Sequence, residues 1–183
     1  MKLRPLAIAG AYAIDLEPIY DARGSFARTF DAAFMLECGL VSVFTVEAVA
    51  ANERAGTIRG LHFQFAPHRE TKIVRALSGT IYDVIVDLRP DCATFGMSIG
   101  LELTAATGTA VYIPAGCAHG YQTCSDNTSA WYAIAGDYRP DLAGGIRYDD
   151  PRCAIGWPLP VTVVSAADRR LPTFDEFETA QSP

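Results

Sequence analysis

Five residues of this 183-residue chain carry most of the chemistry it could perform: His62, Lys72, Asp83, His119 and Tyr132. They supply a base near neutral pH, a cation, a carboxylate and a phenolic acid. That set suits removal of a proton from carbon beside a carbonyl. A histidine takes the proton, an ammonium stabilises the enolate oxygen, and a phenol returns a proton from the other face. Any one of them alone reads more simply as a core residue with its hydrogen bonds satisfied. Five in one small β-rich chain favour a working pocket.

Metal binding is the competing use for the histidines. A β-barrel metal site needs a close His-x-His pair with a carboxylate and a later histidine. Here His62 is followed by Phe63 and Gln64, and His68 sits in the loop-like "APHRE". No metal and no cofactor are therefore expected. Two arginines, Arg23 in "DARGSF" and Arg59 in "TIRGLHFQ", each precede a glycine, which lets a guanidinium approach a ligand closely. A pair of this kind suits a diphosphate, because guanidinium groups bind phosphate oxygens bidentately. Regular strand alternation puts Arg59 and His62 on opposite faces, unless Gly60 supports a bulge.

The elements that must position these groups are mostly strands. "FTVEAVAA", "TIRGLHFQF", "TKIVRAL", "TIYDVIVDL", "SIGLELT", "TAVYIPA", "HGYQTC" and "SAWYAIAG" are short, rich in β-branched and aromatic residues, and separated by turn formers. Ser78-Gly79 predicts a two-residue hairpin between the third and fourth. One short helix is expected at "DAAFMLECGL", capped by Asp31 and ended by Gly39. The pattern predicts an all-β jelly roll or barrel with a few short helices, in a single domain spanning 1–183. Residues 170–183 read as a peripheral tail. Alternation also places His62 with Gln64, Lys72 with Val74 and Ala76, and Asp83 and Asp87 with Ile81 and Ile85. Tyr82, Val84, Val86 and Leu88 form an apolar opposite face.

Composition narrows the partners. The net charge of −6 argues against an extended nucleic-acid surface. No run approaches the roughly 20 apolar residues that span a membrane. Five dispersed cysteines without a C-x-x-C pair point to reduced thiols and a cytoplasmic location. Lys2 and Arg4 precede a stretch faintly like an export signal, but Pro5 and Gly10 interrupt it.

The segments "ARGSF", "TIRGLHFQ", "KIVRALSGTIYDVIVDLRPDCATFG", "YIPAGCAHGYQT", "DYRP" and "VSAADRRLP", together with Tyr132, occur in the order seen in the dTDP-4-dehydrorhamnose 3,5-epimerases. The resemblance runs over about residues 15–172. It implies a cupin-like jelly roll (a double-stranded β-barrel), a homodimer with exchanged N-terminal strands, and no metal. It also implies epimerisation beside the C4 ketone of a 4-keto-6-deoxyhexose on a nucleoside diphosphate. Carried over by position, His62 is the base and Asp168 its carboxylate partner. Lys72 stabilises the enolate, and Tyr132 is the acid. Asp83, His119 and Gln64 belong to the pocket, Arg23 and Arg59 hold the diphosphate, and Phe26 and Tyr138 sandwich the base. The chain departs from the family at Arg28, Glu47 and Val49, where glutamate, glutamine and asparagine are usual. Two readings of Arg28 and Glu47 stay open: contacts to a guanine or cytosine base in place of thymine, or a mutual salt bridge. A 3-only or 5-only epimerase on a GDP- or CDP-linked sugar, and a non-catalytic sugar-nucleotide-binding cupin, are the alternatives.

Overall fold

In a computed structural model describing residues 1–181, the strands form two six-stranded layers and a small separate hairpin. The chain begins with β1 (Lys2–Pro5), β2 (Tyr12–Asp15), β3 (Ile19–Asp21) and β4 (Gly24–Phe26), then α1 (Ala32–Glu37). It continues through β5 (Val46–Asn52), β6 (Thr57–Gln64), β7 (Thr71–Ser78), β8 (Thr80–Asp87) and β9 (Ser98–Thr104). The remaining elements are β10 (Ala110–Ile113), β11 (Cys117–Thr123), β12 (Thr128–Ala135), β13 (Ala143–Gly145), β14 (Val163–Val164) and α2 (Phe174–Gln181). One sheet runs β1-β2-β10-β7-β12-β5, and the other β13-β6-β11-β8-β9 with β14 beside β6. This is the double-sheet β fold that the pattern predicts, and the cupin-like one that the resemblance implies.

The strands face each other as alternation requires. Val74, Ala76, Val111 and Ala130 of the first sheet pack against Ile81, Ile85, Leu103 and Tyr121 of the second. The apolar back of β8, with Val84, Val86 and Leu88, joins Leu61, Phe63, Phe174 and Phe177 in a second cluster. A third cluster lies outside the first sheet, where Met35 of α1 meets Ile73, Tyr112 and Ala133. Asp31 caps α1 as predicted, its carboxylate accepting from the Ala33 and Phe34 N–H groups.

Two expectations fail. The predicted hairpin across Ser78-Gly79 does not form: β7 pairs with β10 and β12, while β8 pairs with β11 and β9. The two residues are a corner between sheets. Both strands carry apolar interior faces, and these are buried by lying opposite one another, not side by side. The second failure is the peripheral tail. Asp168–Arg170 form a single 3-10 turn, and α2 buries Phe174 and Phe177 against the second sheet. Residues 182–183 lie outside the described part. Among the described residues, no helix is long and apolar enough to cross a membrane.

The local irregularity that matters most lies between β6 and β11. His62 pairs with His119 and Arg59 with Tyr121, so three steps along β6 match two along β11. This extra residue is the bulge that Gly60 was suspected of supporting. Gly60 has φ +124°, and a Cβ there would meet the Gly120 Cα at 2.6 Å and the His119 carbonyl oxygen at 2.9 Å. Only glycine fits.

Gly60→Ala is therefore expected to cost about 1–3 kcal/mol, and to displace His62 or Arg59 from their common side. Denaturant unfolding and an activity assay on the same protein check both halves; wild-type values in each would contradict the account. Phe174→Ala, made in a segment first read as a tail, should lower stability by about 3–5 kcal/mol, measured the same way.

Candidate active site

The bulge turns Arg59 and His62 into one cleft of about 520 Å³ at the mouth between the sheets. Alternation along β5 contributes Ala48 and Ala50 to its wall, β7 contributes Lys72, β11 contributes His119, and β12 contributes Tyr132 and Ile134. Tyr138 and Asp168 close it from the segments after β12 and β14. Five strands from two sheets and two later segments thus converge.

His62 Nε2 lies 2.9 Å from Asp168 Oδ1. The other carboxylate oxygen accepts the Gly60 N–H at 3.1 Å, and the Asp168 N–H is held by Ser165 Oγ at 3.0 Å. A neutral His62 that donates from Nε2 to this carboxylate keeps its Nδ1 lone pair free to act as a base. The imidazole is 49% exposed and the carboxylate only 9%, so the base is open to ligand while its partner is fixed.

Lys72, His119 and Asp83 are buried, and Tyr132 is partly buried. Lys72 Nζ sits 3.3 Å from Glu70 Oε2 and donates to the His62 carbonyl oxygen at 3.4 Å. Burial lowers the Lys72 pKa from the usual amine range, with the Glu70 charge opposing it. His119 Nε2 lies 2.8 Å from Asp83 Oδ2, both groups being buried. Burial raises the Asp83 carboxyl, and His119 partly offsets it. The Tyr132 ring meets His119 edge to face at 5.8 Å. Burial, then the neighbouring Tyr121 and Asp83, push the Tyr132 phenol well above its ordinary range. Tyr132 is therefore protonated at neutral pH, as a proton donor must be.

The expected residues divide sharply. His62, Lys72, Arg59, His119, Tyr132, Tyr138 and Asp168 all line the cleft, with Asp83 directly behind His119. Gln64 does not reach it: its amide binds the His68 and Asp137 carbonyls and accepts the Arg139 N–H, so it clamps two loops. Arg23 and Phe26 stand on the β3–β4 hairpin; Arg23 pairs with Asp21 and Phe26 is 74% exposed. The mutual salt bridge considered for Arg28 and Glu47 is absent. Arg28 pairs with Asp31 at 2.5 Å, and Glu47, on the face of β5 opposite Ala48, accepts the Trp131 indole N–H at 3.3 Å.

Glu70, Ser165, Asn52 and Tyr121 escaped the sequence reading. Glu70 lies two residues before Lys72 and Tyr121 two after His119, so same-face spacing could have signalled both. Among the described residues, no group of three or more His, Cys, Asp or Glu side chains is arranged to hold a metal.

A cleft with one oriented histidine, one buried ammonium and one partly buried phenol is equipped for proton transfer at carbon. Similarity to known proteins agrees. A 3,5-epimerase from Sinorhizobium fredii is 34% identical over 181 residues, covering 96% of this chain and 91% of the relative. A dTDP-4-dehydrorhamnose 3-epimerase from Streptomyces niveus is 32% identical, covering 92% and 82%. The crystal structure of the Bacillus anthracis 3,5-epimerase with TDP and PPi bound superposes with a TM-score of 0.91 at 34% identity, covering 94% and 99%. The family model described as dTDP-4-dehydrorhamnose 3,5-epimerase matches residues 5–176, and the chain belongs to that family of epimerases.

Proposed function

We propose that this epimerase inverts C3 and C5 of a dTDP-linked 4-keto-6-deoxyhexose. The observation that carries the reading is a half-exposed His62, fixed by Asp168, in one cleft with the partly buried phenol of Tyr132. In this reading His62 removes the proton beside the C4 ketone. The electron pair moves onto the ketone oxygen, where the Lys72 ammonium stabilises the enolate. Tyr132 then protonates the same carbon from the opposite face. His119 and Asp83 hold the ring of Tyr132, and Arg59 meets the diphosphate. The reaction is proton transfer throughout and calls on no cofactor.

Arg23, Phe26 and the strand-exchanged homodimer belong to the same proposal. Ile19, Tyr20 and Phe26 of the β3–β4 hairpin are each about three-quarters exposed (73%, 74% and 74%). β5 ends its sheet with Val46 and Val49 exposed. Hairpin and edge would cover each other between two subunits, delivering Arg23 and Phe26 to the partner's cleft beside Tyr138. The thymine nucleotide follows the family; Arg28 and Glu47, engaged elsewhere, give no support to a guanine or cytosine preference. We place the enzyme in the cytoplasm, in keeping with its five unpaired cysteines.

Proton NMR in deuterium oxide tests the reading. With a dTDP-4-keto-6-deoxyglucose substrate, wild type should incorporate deuterium at both C3 and C5. His62→Ala should slow this by about 100- to 10,000-fold. Label at C3 alone would instead favour a 3-epimerase, the activity named for the Streptomyces relative. Faster turnover of a GDP- or CDP-linked sugar would overturn the nucleotide assignment.

A further inference from the structure

Tyr138 differs from the other residues of the cleft in how it is held. It lines the cleft, yet it is 66% exposed and stands in the link between β12 and β13, outside both sheets. A side chain so exposed gains little from packing, and a loop held only at its ends would let it wander. Its place must come from the backbone that carries it.

Sheet pairing fastens the two ends of the link, Ala135 to Thr71 of β7 and Ala143 to Gln64 of β6. Near its middle the Gln64 side chain takes hold of it. Gln64 is buried at 2% exposure, and its amide is used on both sides. Nε2 donates to the Asp137 carbonyl at 2.9 Å and to the His68 carbonyl, while Oε1 accepts the Arg139 N–H at 2.7 Å. The residues gripped in the link are thus the two chain neighbours of Tyr138. Gly136, with φ +121°, lets the link lie against the segment before β7; a Cβ there would meet the Arg69 carbonyl oxygen at 3.1 Å. Gln64 also follows His62 by two residues on β6, so one stretch of strand carries His62 and anchors Tyr138.

We propose that Gln64 is a positioning residue for nucleotide binding: it holds Tyr138 at the cleft as a face on which the nucleobase stacks. It thereby sets affinity for the nucleotide and leaves the proton transfers to His62 and Tyr132. A platform ordered before the ligand arrives binds more tightly, because the cost of ordering it is not charged to binding. The role requires an amide. Leucine offers the link no polar atom, and glutamate keeps the acceptor for Arg139 but sets a carboxylate against two carbonyl oxygens. Either change releases the peptides on both sides of Tyr138.

This inference rests on the epimerase reading, and separate readouts keep the two apart. Deuterium incorporation by wild type tests the reading. The clamp is tested without any ligand, by amide hydrogen exchange: the Arg139 N–H should exchange about tenfold faster in Gln64→Glu and Gln64→Leu than in wild type. Amides of β8 and β11 should keep their protection, and Gln64→Glu, the closer match in shape, serves if Gln64→Leu does not fold. In the same variants the Kd for dTDP should rise about tenfold, the worth of one base stacked on an aromatic ring. KM for dTDP-4-keto-6-deoxyglucose should rise with it, while kcat stays within about twofold. Tyr138→Ala should weaken dTDP binding to the same degree, and adding Gln64→Leu to it should change the Kd by no more than about twofold. An Arg139 amide as protected as in wild type overturns the proposal. So does a fall in kcat that matches the rise in KM, or a further loss of dTDP affinity in the double variant.

Discussion

The carboxylate of Asp168 carries two obligations at once. One oxygen meets the imidazole of His62 and the other accepts the Gly60 N–H, the backbone donor that the bulge frees from the β6–β11 ladder. An unpaired buried N–H costs about as much as a lost hydrogen bond. The bulge is tolerable because Asp168 answers it, and Asp168 is well placed because the bulge exists. The same irregularity puts Arg59 beside His62. His62, its carboxylate partner and Arg59 are therefore placed by one geometric solution, and its tightest constraint is the absence of a side chain at Gly60 and Gly120.

Around this fixed point the sandwich buries charge at one end of an otherwise apolar interior. Lys72 extends the row of Val74 and Ala76, and Asp83 lies between Ile81 and Ile85. Each is matched: Lys72 with Glu70, Asp83 with His119. Matching is incomplete by one atom, since Asp83 Oδ1 has no hydrogen-bond partner. Buried polar groups are ordinarily satisfied. An orphaned oxygen close to Tyr132, the acid of the proposed reaction, sits where stability has yielded to electrostatics. Contrast Asp87 at the far end of β8. Burial would raise its carboxyl, but Arg89 and Thr94 hold it down at about 2, with every oxygen engaged. One strand holds a fully satisfied aspartate and a partly satisfied one, four residues apart on the same face.

How legible this was depended on range. Period-two alternation located the strands and assigned the two faces of β8 correctly, because each face is buried by a different layer. It could not say which strands pair, and so misread Ser78-Gly79: a two-residue link serves a hairpin and a corner equally. The C-terminal segment was misread for a related reason. Phe174 and Phe177 find their partners on β6 and β8, far back in the sequence, and nothing local announces them. Of the site, the five interior residues were visible as polar intrusions into apolar faces. Asp168 was not, for a carboxylate in a short turn looks like any surface aspartate. Only the resemblance placed it. Arg28 and Glu47 show the converse: position in a motif suggested a mutual salt bridge, yet Arg28 pairs with Asp31 and Glu47 accepts from the Trp131 indole.

Solvent access divides His62 and Tyr132 in a way that fits the tasks proposed for them. The imidazole of His62 is half exposed, whereas the Tyr132 phenol lies deep enough for its acidity to be strongly suppressed. A base that takes a proton from carbon must release it before the next turnover, and contact with water makes that release fast. An acid that must deliver to one face of a ring gains from the opposite arrangement. Set further from water than the imidazole, such an acid keeps its proton until an enolate lies against it. The barrel supplies both conditions within one cleft because its mouth is wet and its interior is dry. A histidine on the rim of β6 and a tyrosine facing inward on β12 are what that gradient requires.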